Sequence, residues 1–343
     1  MTKYSFPKVD LHLHLDGSFR IKTMYELAKE RDVTVAGKTL AGYEKWMIEH
    51  SNAKDVNDYL QMFDTPTQVL QDSVALTRIT KELIDDIASY GVRYAEIRFA
   101  PQLHTLKSLT QESATEAVLE GKKLGEENNP NIKVGIITCM MCVGSEDVNW
   151  EANDKTVDVC AKYKDKGVVA LDLAGAEGIV PLKNFAPLFE KARKLGLNII
   201  SHAGDSQGPD TVKDALDFGV SRIGHGHHIY QDLQLCKYAA EHKIALEICP
   251  TSNIQCKTEP SYKEHPAKKL LDMGIPVTIN TDNMVMARVN LDDEYDHCLN
   301  EMGFTKNDII QMNINSLTYS FADEEYKNKL IEELSKEIKN SVE

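Results

Sequence analysis

Eight short apolar runs rich in β-formers alternate along this chain with longer stretches of helical spacing. The runs cover residues 9–15, 93–100, 133–140, 168–174, 197–202, 221–224, 244–249 and 276–281. Helical stretches between them include residues 113–126, 182–195, 210–218 and 233–241. Strands that alternate with helices assemble through right-handed βαβ crossovers into a parallel sheet. Eight such units suffice to close a β/α (TIM) barrel, which takes about 250 residues. The sequence has 343 residues, and the surplus falls in two places. Residues 16–92 are far too many for one crossover helix and read as several helices, including 20–30, 43–49 and 74–89. A helical tail runs from about residue 291 to the end. No internal repeat, low-complexity linker or composition shift marks a boundary, so the expectation is one α/β barrel domain over residues 1–343.

Composition narrows the partners. Acidic residues number 53 and basic ones 39, a formal net charge of −14. Broad nucleic-acid or anionic-membrane surfaces need clustered Lys and Arg, so neither partner is expected. Small neutral or cationic ligands and metal ions remain. Residues 1–10 lack the charged and apolar segments of a signal peptide, and no apolar run reaches about 18 residues. The seven cysteines form no disulfide framework, and Cys139 and Cys142 make an isolated CxxC pair. Buried reduced thiols in a cytoplasmic protein are the expectation.

Reactive groups in a β/α barrel gather at the C-terminal ends of the strands. The first run ends His12-Leu13-His14-Leu15-Asp16-Gly17. Strand alternation puts His12, His14 and Asp16 on one face, where two imidazoles at i and i+2 can share one metal ion. Asp16 would stand a step further out, near the pocket rim. The fifth run ends at His202 within Ser201-His202-Ala203-Gly204-Asp205, and the sixth leads into Gly224-His225-Gly226-His227-His228. The eighth leads into Asn280-Thr281-Asp282-Asn283. His202 and Asp282 fall where inward-facing groups could join His12 and His14 around one ion. Three or four N/O ligands with a place left for water suit catalytic zinc, and iron or cobalt takes similar donors. Gly175, closing the fourth run, can bring a backbone N–H close to a ligand. His227, His228 and His265 are assigned to surface or supporting positions. Met140, Met141, Met284 and Met286 are assigned to packing.

Together these segments resemble the adenosine and adenine deaminase family of the amidohydrolase superfamily. The matching stretches are PKVDLHLHLDG from Pro7, RYAEIRFAP from Arg93, LDLAG from Leu171, HAG from His202, RIGHG from Arg222, CPTSN from Cys249 and NTD from Asn280. They stand in family order from residue 7 to beyond residue 320. The resemblance implies one Zn2+ per chain on His12, His14, His202 and Asp282, with His14 also facing the substrate. It implies that His225 orients the attacking water with Asp282, that Asp16 accepts a ribose hydroxyl, and that Gly175 donates its N–H to purine N3. The implied reaction is hydrolytic deamination of adenosine and 2′-deoxyadenosine in purine salvage, with a small purine nucleoside as partner and the oligomeric state left open.

Two positions depart from the family pattern. Asp205 stands where a Glu normally protonates purine N1, and Asn283 replaces the second Asp of an Asp-Asp pair. An amide can donate to purine N7 without a raised pKa, so Asn283 suits the role. Asp205 is one methylene shorter, and a misplacement of about 1 Å can cost about 10²-fold in rate. These departures keep two other readings open: a deaminase of adenine, methylthioadenosine or aminodeoxyfutalosine, and a purine-binding homologue of low activity. A binuclear hydrolase would end the fourth run in Lys rather than Leu173-Ala174-Gly175. The cytidine-deaminase type needs HxE with PCxxC, which is absent.

Overall fold

The computed structural model of the chain describes residues 2–143 and 146–340. Eight parallel strands appear where apolar runs were expected. They are β1 (Lys8–His14), β2 (Val92–Phe99), β3 (Lys133–Cys142), β4 (Val168–Gly175), β5 (Ile200–Ala203), β6 (Arg222–His225), β7 (Ala245–Ile248) and β8 (Val277–Ile279). Pairing runs β1-β2-β3-β4 and β5-β6-β7-β8. The two sheets meet at both edges, through Leu171 beside Ile199 and Leu13 beside Asp282. Leu171 N donates to Asn198 O at 2.9 Å, and His14 N donates to Asp282 O at 2.7 Å. With both seams bonded, the eight strands form the α/β barrel that the alternation predicted.

The long excursion after β1 folds into α1 (Ile21–Glu30), α2 (Leu40–His50), α3 (Val56–Leu60), α4 (Asp64–Val69) and α5 (Ser73–Ser89). Asp55 and Asp72 cap α3 and α5 by accepting backbone N–H bonds from Asp58 and Ala75. The crossover helices are α6 (Gln111–Asn128), α7 (Glu146–Tyr163), α8 (Ala186–Lys194), α9 (Pro209–Asp217), α10 (Leu233–Glu241), α11 (Pro250–Gln255) and α12 (Ala267–Asp272). The tail forms α13 (Leu291–Asn300), α14 (Lys306–Tyr319) and α15 (Glu324–Asn340). The last three residues of the expected tail lie outside the described residues. All seven cysteines are buried and unpaired. Among the described residues, no helix is long and apolar enough to cross a membrane.

The barrel interior contains charge as well as hydrocarbon. Arg222 on β6 donates to Glu247 Oε1 on β7 at 2.7 Å and to Glu96 on β2, with all three side chains fully buried. Its Nη1 reaches Tyr319 O at 2.7 Å, at the end of α14, and its guanidinium lies 4.4 Å from the Phe321 ring. Phe321 N donates to Glu96 Oε1 at 2.7 Å. One buried cation therefore ties the C-terminal tail to the barrel.

Removing one partner of such a network leaves an uncompensated buried charge. Arg222→Met is expected to cost about 3–5 kcal/mol, read from urea unfolding. A loss below about 1 kcal/mol would show that Glu96 and Glu247 take up protons or water at little cost.

Candidate metal and substrate site

At the C-terminal mouth of the barrel, four donors expected from sequence converge. His12 is wholly buried and His14 is 15 % exposed at its side chain, both on β1 with their rings 5.3 Å apart. His14 Nε2 lies 3.3 Å from His202 Nε2 at β5 and 3.4 Å from Asp282 Oδ1. His12 Nε2 lies 3.6 Å from the same carboxylate oxygen. The far nitrogens are held from behind. His12 Nδ1 stands 2.9 Å from Glu247 Oε2, and His202 Nδ1 stands 3.1 Å from Asp172 Oδ2 on β4. Arg98 on β2 joins these two carboxylates, donating to Asp172 Oδ2 and Glu247 Oε2 at 2.7 Å each.

The set fits a zinc ion on three grounds. His12 Nε2 is fully buried and has no hydrogen-bond partner among the described residues. Three imidazoles and one carboxylate are the borderline donors zinc prefers. Carboxylates behind ligand histidines fix the tautomer and raise basicity. Charge agrees: Asp172, Glu247 and Glu96 oppose Arg98 and Arg222, so three negative charges against two leave a net negative surplus. Burial would raise Asp282, but His14, His225 and the 2.6 Å bond from Ser252 Oγ hold its carboxyl below the usual range. Burial pushes His14 down to about 3, so its imidazole is a neutral ligand-ready base.

A cavity of about 280 Å3 opens above these groups, lined by His14, Asp16, Gly175, His202, Asp205, His225, Asp282 and Asn283 among others. That volume lies near the lower end for small-molecule sites, roughly 300–1,000 Å3. Tyr59, Leu60, Phe63, Asp64 and Thr67 cover one side, so α3, α4 and the turn between them roof the barrel mouth. Asp16 reaches the cavity by a different route from the one its spacing implies. β1 ends at His14, and Asp16 sits in a 3-10 turn over Leu15–Gly17. Val285 N and Met286 N bond Gly17 O, which pins that turn to the segment after β8. A Cβ on Gly17 would stand 1.9 Å from the Asn283 amide oxygen, so the glycine makes room for that side chain. Burial raises Asp16 to about 6.

Asp205 is 18 % exposed at its side chain and lies in a loop gripped by a residue that sequence reasoning missed. Glu177, after β4, accepts bonds from Gly204 N, Asp205 N, Ser206 N and Gln207 N at 2.7–3.0 Å, and from Thr211 Oγ1 at 2.5 Å. Asn253 was also missed. Ala267 N donates to His265 Nδ1 at 3.1 Å, which leaves the proton of that ring on Nε2. Nε2 then donates to Asn253 Oδ1 at 3.1 Å. This fixes the Asn253 amide so that its Nδ2 donates to Asp205 Oδ1 at 2.9 Å and to His225 Nδ1 at 3.2 Å. The free His225 nitrogen is then Nε2, and in the neutral ring it carries the proton. Burial raises the Asp205 carboxyl; His225 opposes the shift, and Glu177 and Asp282 add to it.

His225 and Asp282 have φ of +60° and +58°. Left-handed backbone at ordinary residues costs of order 1–3 kcal/mol each and collects at functional sites. His227 and His265 are buried rather than on the surface, and His228 is 15 % exposed at its side chain. Arg98, Asp172 and Glu247, given no role from sequence, had one legible sign: they are charges inside apolar strands that the barrel must bury.

A closed β/α barrel with three imidazoles and a carboxylate at its strand ends is the architecture of a metal-dependent hydrolase. The adenosine deaminase family profile matches residues 7–337. An adenosine deaminase of Haemophilus ducreyi is 36% identical over 326 residues, covering 94% of each chain. Among solved structures, an adenine deaminase from Arthrobacter aurescens superposes with a TM-score of 0.88 at 25% identity, over 97% of this chain and 99% of its own. An N6-mAMP deaminase of Arabidopsis gives 0.84 at 26%, over 97% and 98%. The chain belongs to the adenosine deaminase family and is a hydrolase.

If Asp172 orients His202, Asp172→Asn should lower zinc affinity about 10–100-fold, read by competition with a chromophoric chelator. Unchanged affinity in a folded variant would remove Asp172 from that role.

Proposed function

We propose that the protein hydrolyses adenosine and 2′-deoxyadenosine to inosine and 2′-deoxyinosine, releasing ammonia, with one zinc ion per chain on His12, His14, His202 and Asp282. The observation that carries this reading is one cavity lined by His14, His202, Asp282, Asp205, His225 and Asp16 together, with His12 Nε2 3.6 Å behind Asp282 Oδ1. Zinc at such a site supplies Lewis acidity that lets water ionise near neutral pH. His225, oriented by Asn253, presents Nε2–H to the oxygen that attacks C6 and to the charge that develops there. Asp282 accepts a bond from Ser252 on Oδ2, which leaves Oδ1 facing His12 and His14.

Asp205 is the acid toward purine N1. Its Oδ1 accepts two hydrogen bonds, from Asn253 and from Thr258 Oγ1 at 3.1 Å, so in the acid form the proton sits on Oδ2. Burial favours that protonated form. The Glu177 grip places the loop for this shorter side chain. As the water oxygen bonds C6, Asp205 gives its proton to N1 and the proton of the water passes to the Asp282 carboxylate. That proton then goes to the amino nitrogen, the C6–N bond breaks to release ammonia, and the C6 hydroxyl returns its proton to Asp205 as the C6 carbonyl forms. Gly175 presents its backbone to purine N3, with φ of +107° and no room for a Cβ, which would stand 2.6 Å from Cys142 O. Asn283 donates to N7. Asp16, a carboxylate at the ribose end, accepts a hydroxyl and repels a 5′-phosphate, so nucleosides are favoured over nucleotides.

The relatives with adenine and N6-mAMP in their names make the substrate comparison the decisive test. The zinc-loaded protein should consume adenosine, seen as loss of its ultraviolet absorbance, with kcat/KM above that for adenine and AMP, and chelation should stop it. No change with any purine would sink the enzymatic assignment, and AMP turnover matching adenosine would remove the role of Asp16.

Asp205→Asn should lower kcat by about 10²–10⁴-fold. Asp205→Glu should also lower it, by up to about 10²-fold, because the clamped loop would push a longer acid out of register. A large rise instead would mark Asp205 as a damaged acid.

A further inference from the structure

Beside the catalytic cavity, after β6, stands a second group of donors that the proposed reaction does not use. His227 and His228 lie in the 3-10 segment His227–Gln231, and Glu259 comes from the loop after α11. His227 is wholly buried and Glu259 is 4 % exposed. His227 Nε2 stands 3.7 Å from Glu259 Oε1, and His228 Nε2 stands 3.9 Å from the same oxygen. Those separations are too long for hydrogen bonds. They suit donors around one ion, since bonds of about 2.0–2.2 Å set neighbouring ligand atoms roughly 3–4 Å apart. Both ring nitrogens of His227, Nδ1 of His228 and Oε1 of Glu259 are buried with no hydrogen-bond partner among the described residues. Of these, His227 Nε2 and Glu259 Oε1 face each other across the site, and each costs about 1–3 kcal/mol if nothing fills the space between them.

We propose that His227, His228 and Glu259 form a second divalent-metal site, for zinc or another first-row ion that accepts imidazole and carboxylate. An access path exists: His228 lines a cavity of about 380 Å3 with Glu177, Gln207 and Thr258. Electrostatics agree with the geometry. Burial raises Glu259 to about 7, with Glu264 and Asp205 adding to the shift, and a cation would restore the carboxylate. Burial also holds His227 neutral, the form that ligates. The site adjoins the catalytic acid without sharing a residue with it. Thr258 N and Glu259 N both donate to Asn253 O, at 3.0 and 3.1 Å, and Thr258 Oγ1 bonds Asp205. An ion on Glu259 therefore anchors the segment that positions Asp205.

The test is metal stoichiometry by equilibrium dialysis at micromolar zinc and elemental analysis, on the full chain, with folding checked by circular dichroism. Wild type is expected to hold two equivalents, and Glu259→Gln, His228→Gln and His12→Ala one each. A wild type holding one equivalent that Glu259→Gln removes also supports the site, and counts against the His12 centre instead. The proposal is overturned if wild type holds none, if it holds one that both Glu259→Gln and His228→Gln keep, or if a second equivalent survives in both variants. In those cases the space between the donors is a water pocket.

Discussion

Arg98 is the side chain on which the barrel mouth depends. It is completely buried and donates to Asp172, Glu247 and Leu11 O. A buried carboxylate without a cation would take up a proton. With Arg98 between them, two carboxylates face His202 and His12 from behind. Burial would raise Asp172, but His202 and Arg98 hold it far below the usual carboxylate range. Ionised, Asp172 stands 3.1 Å from His202 Nδ1, which leaves Nε2 as the nitrogen facing His14 in the cavity. The guanidinium fork is suited to this because it bonds two partners at fixed angles, which a lysine could not do. Desolvating these charges is expensive, and the network earns its place by orientation rather than by net stability.

Three separate parts of the chain then complete the cavity. The strands deliver the donors, the helices inserted after β1 cover them, and the loops after β4, β5 and β7 aim the polar groups around them. Glu177 is the clearest case, because one carboxylate takes four successive backbone N–H groups of the loop carrying Asp205. Such a loop cannot drift to suit a different side chain. The left-handed backbone at Asp282 is held in the same way: Asp282 N donates to His12 O at 2.8 Å and its carbonyl accepts from His14 N. The barrel seam itself carries that strain.

The fold was legible because a parallel barrel imposes a strong period on the sequence, and the eight apolar runs all became strands. His12, His14, His202 and Asp282 were legible for a related reason: strand ends in a barrel all point to one mouth. Alternation failed at Asp16, since β1 gives way to a turn at Leu15 that no period records. Glu177 and Asn253 were missed because their partners are backbone amides and side chains distant in sequence, which no local pattern encodes. His227 looked like one more histidine in a polar run, yet a 3-10 turn buries it completely. Arg98 and Glu247 were visible as charges in apolar strands, but reading them needed the register that sets them on facing strands.

The two departures from the family pattern make physical sense together. Asp282 raises both Asp16 and Asp205 through space, so the carboxyls in this cavity already oppose one another. A further acid at position 283 would add a charge next to Asp282 in a space of about 280 Å3. Repulsion of that kind would push a proton onto one carboxyl of the set, and which one would depend on small shifts in the loops. An amide at 283 keeps a donor in place and removes that competition. Asp282 can then stay ionised, while burial raises Asp205, whose Oδ1 takes the bonds from Asn253 and Thr258 and leaves Oδ2 without them. The neutral neighbour thus removes one charge from a cavity in which Asp16 and Asp205 are both already raised by Asp282.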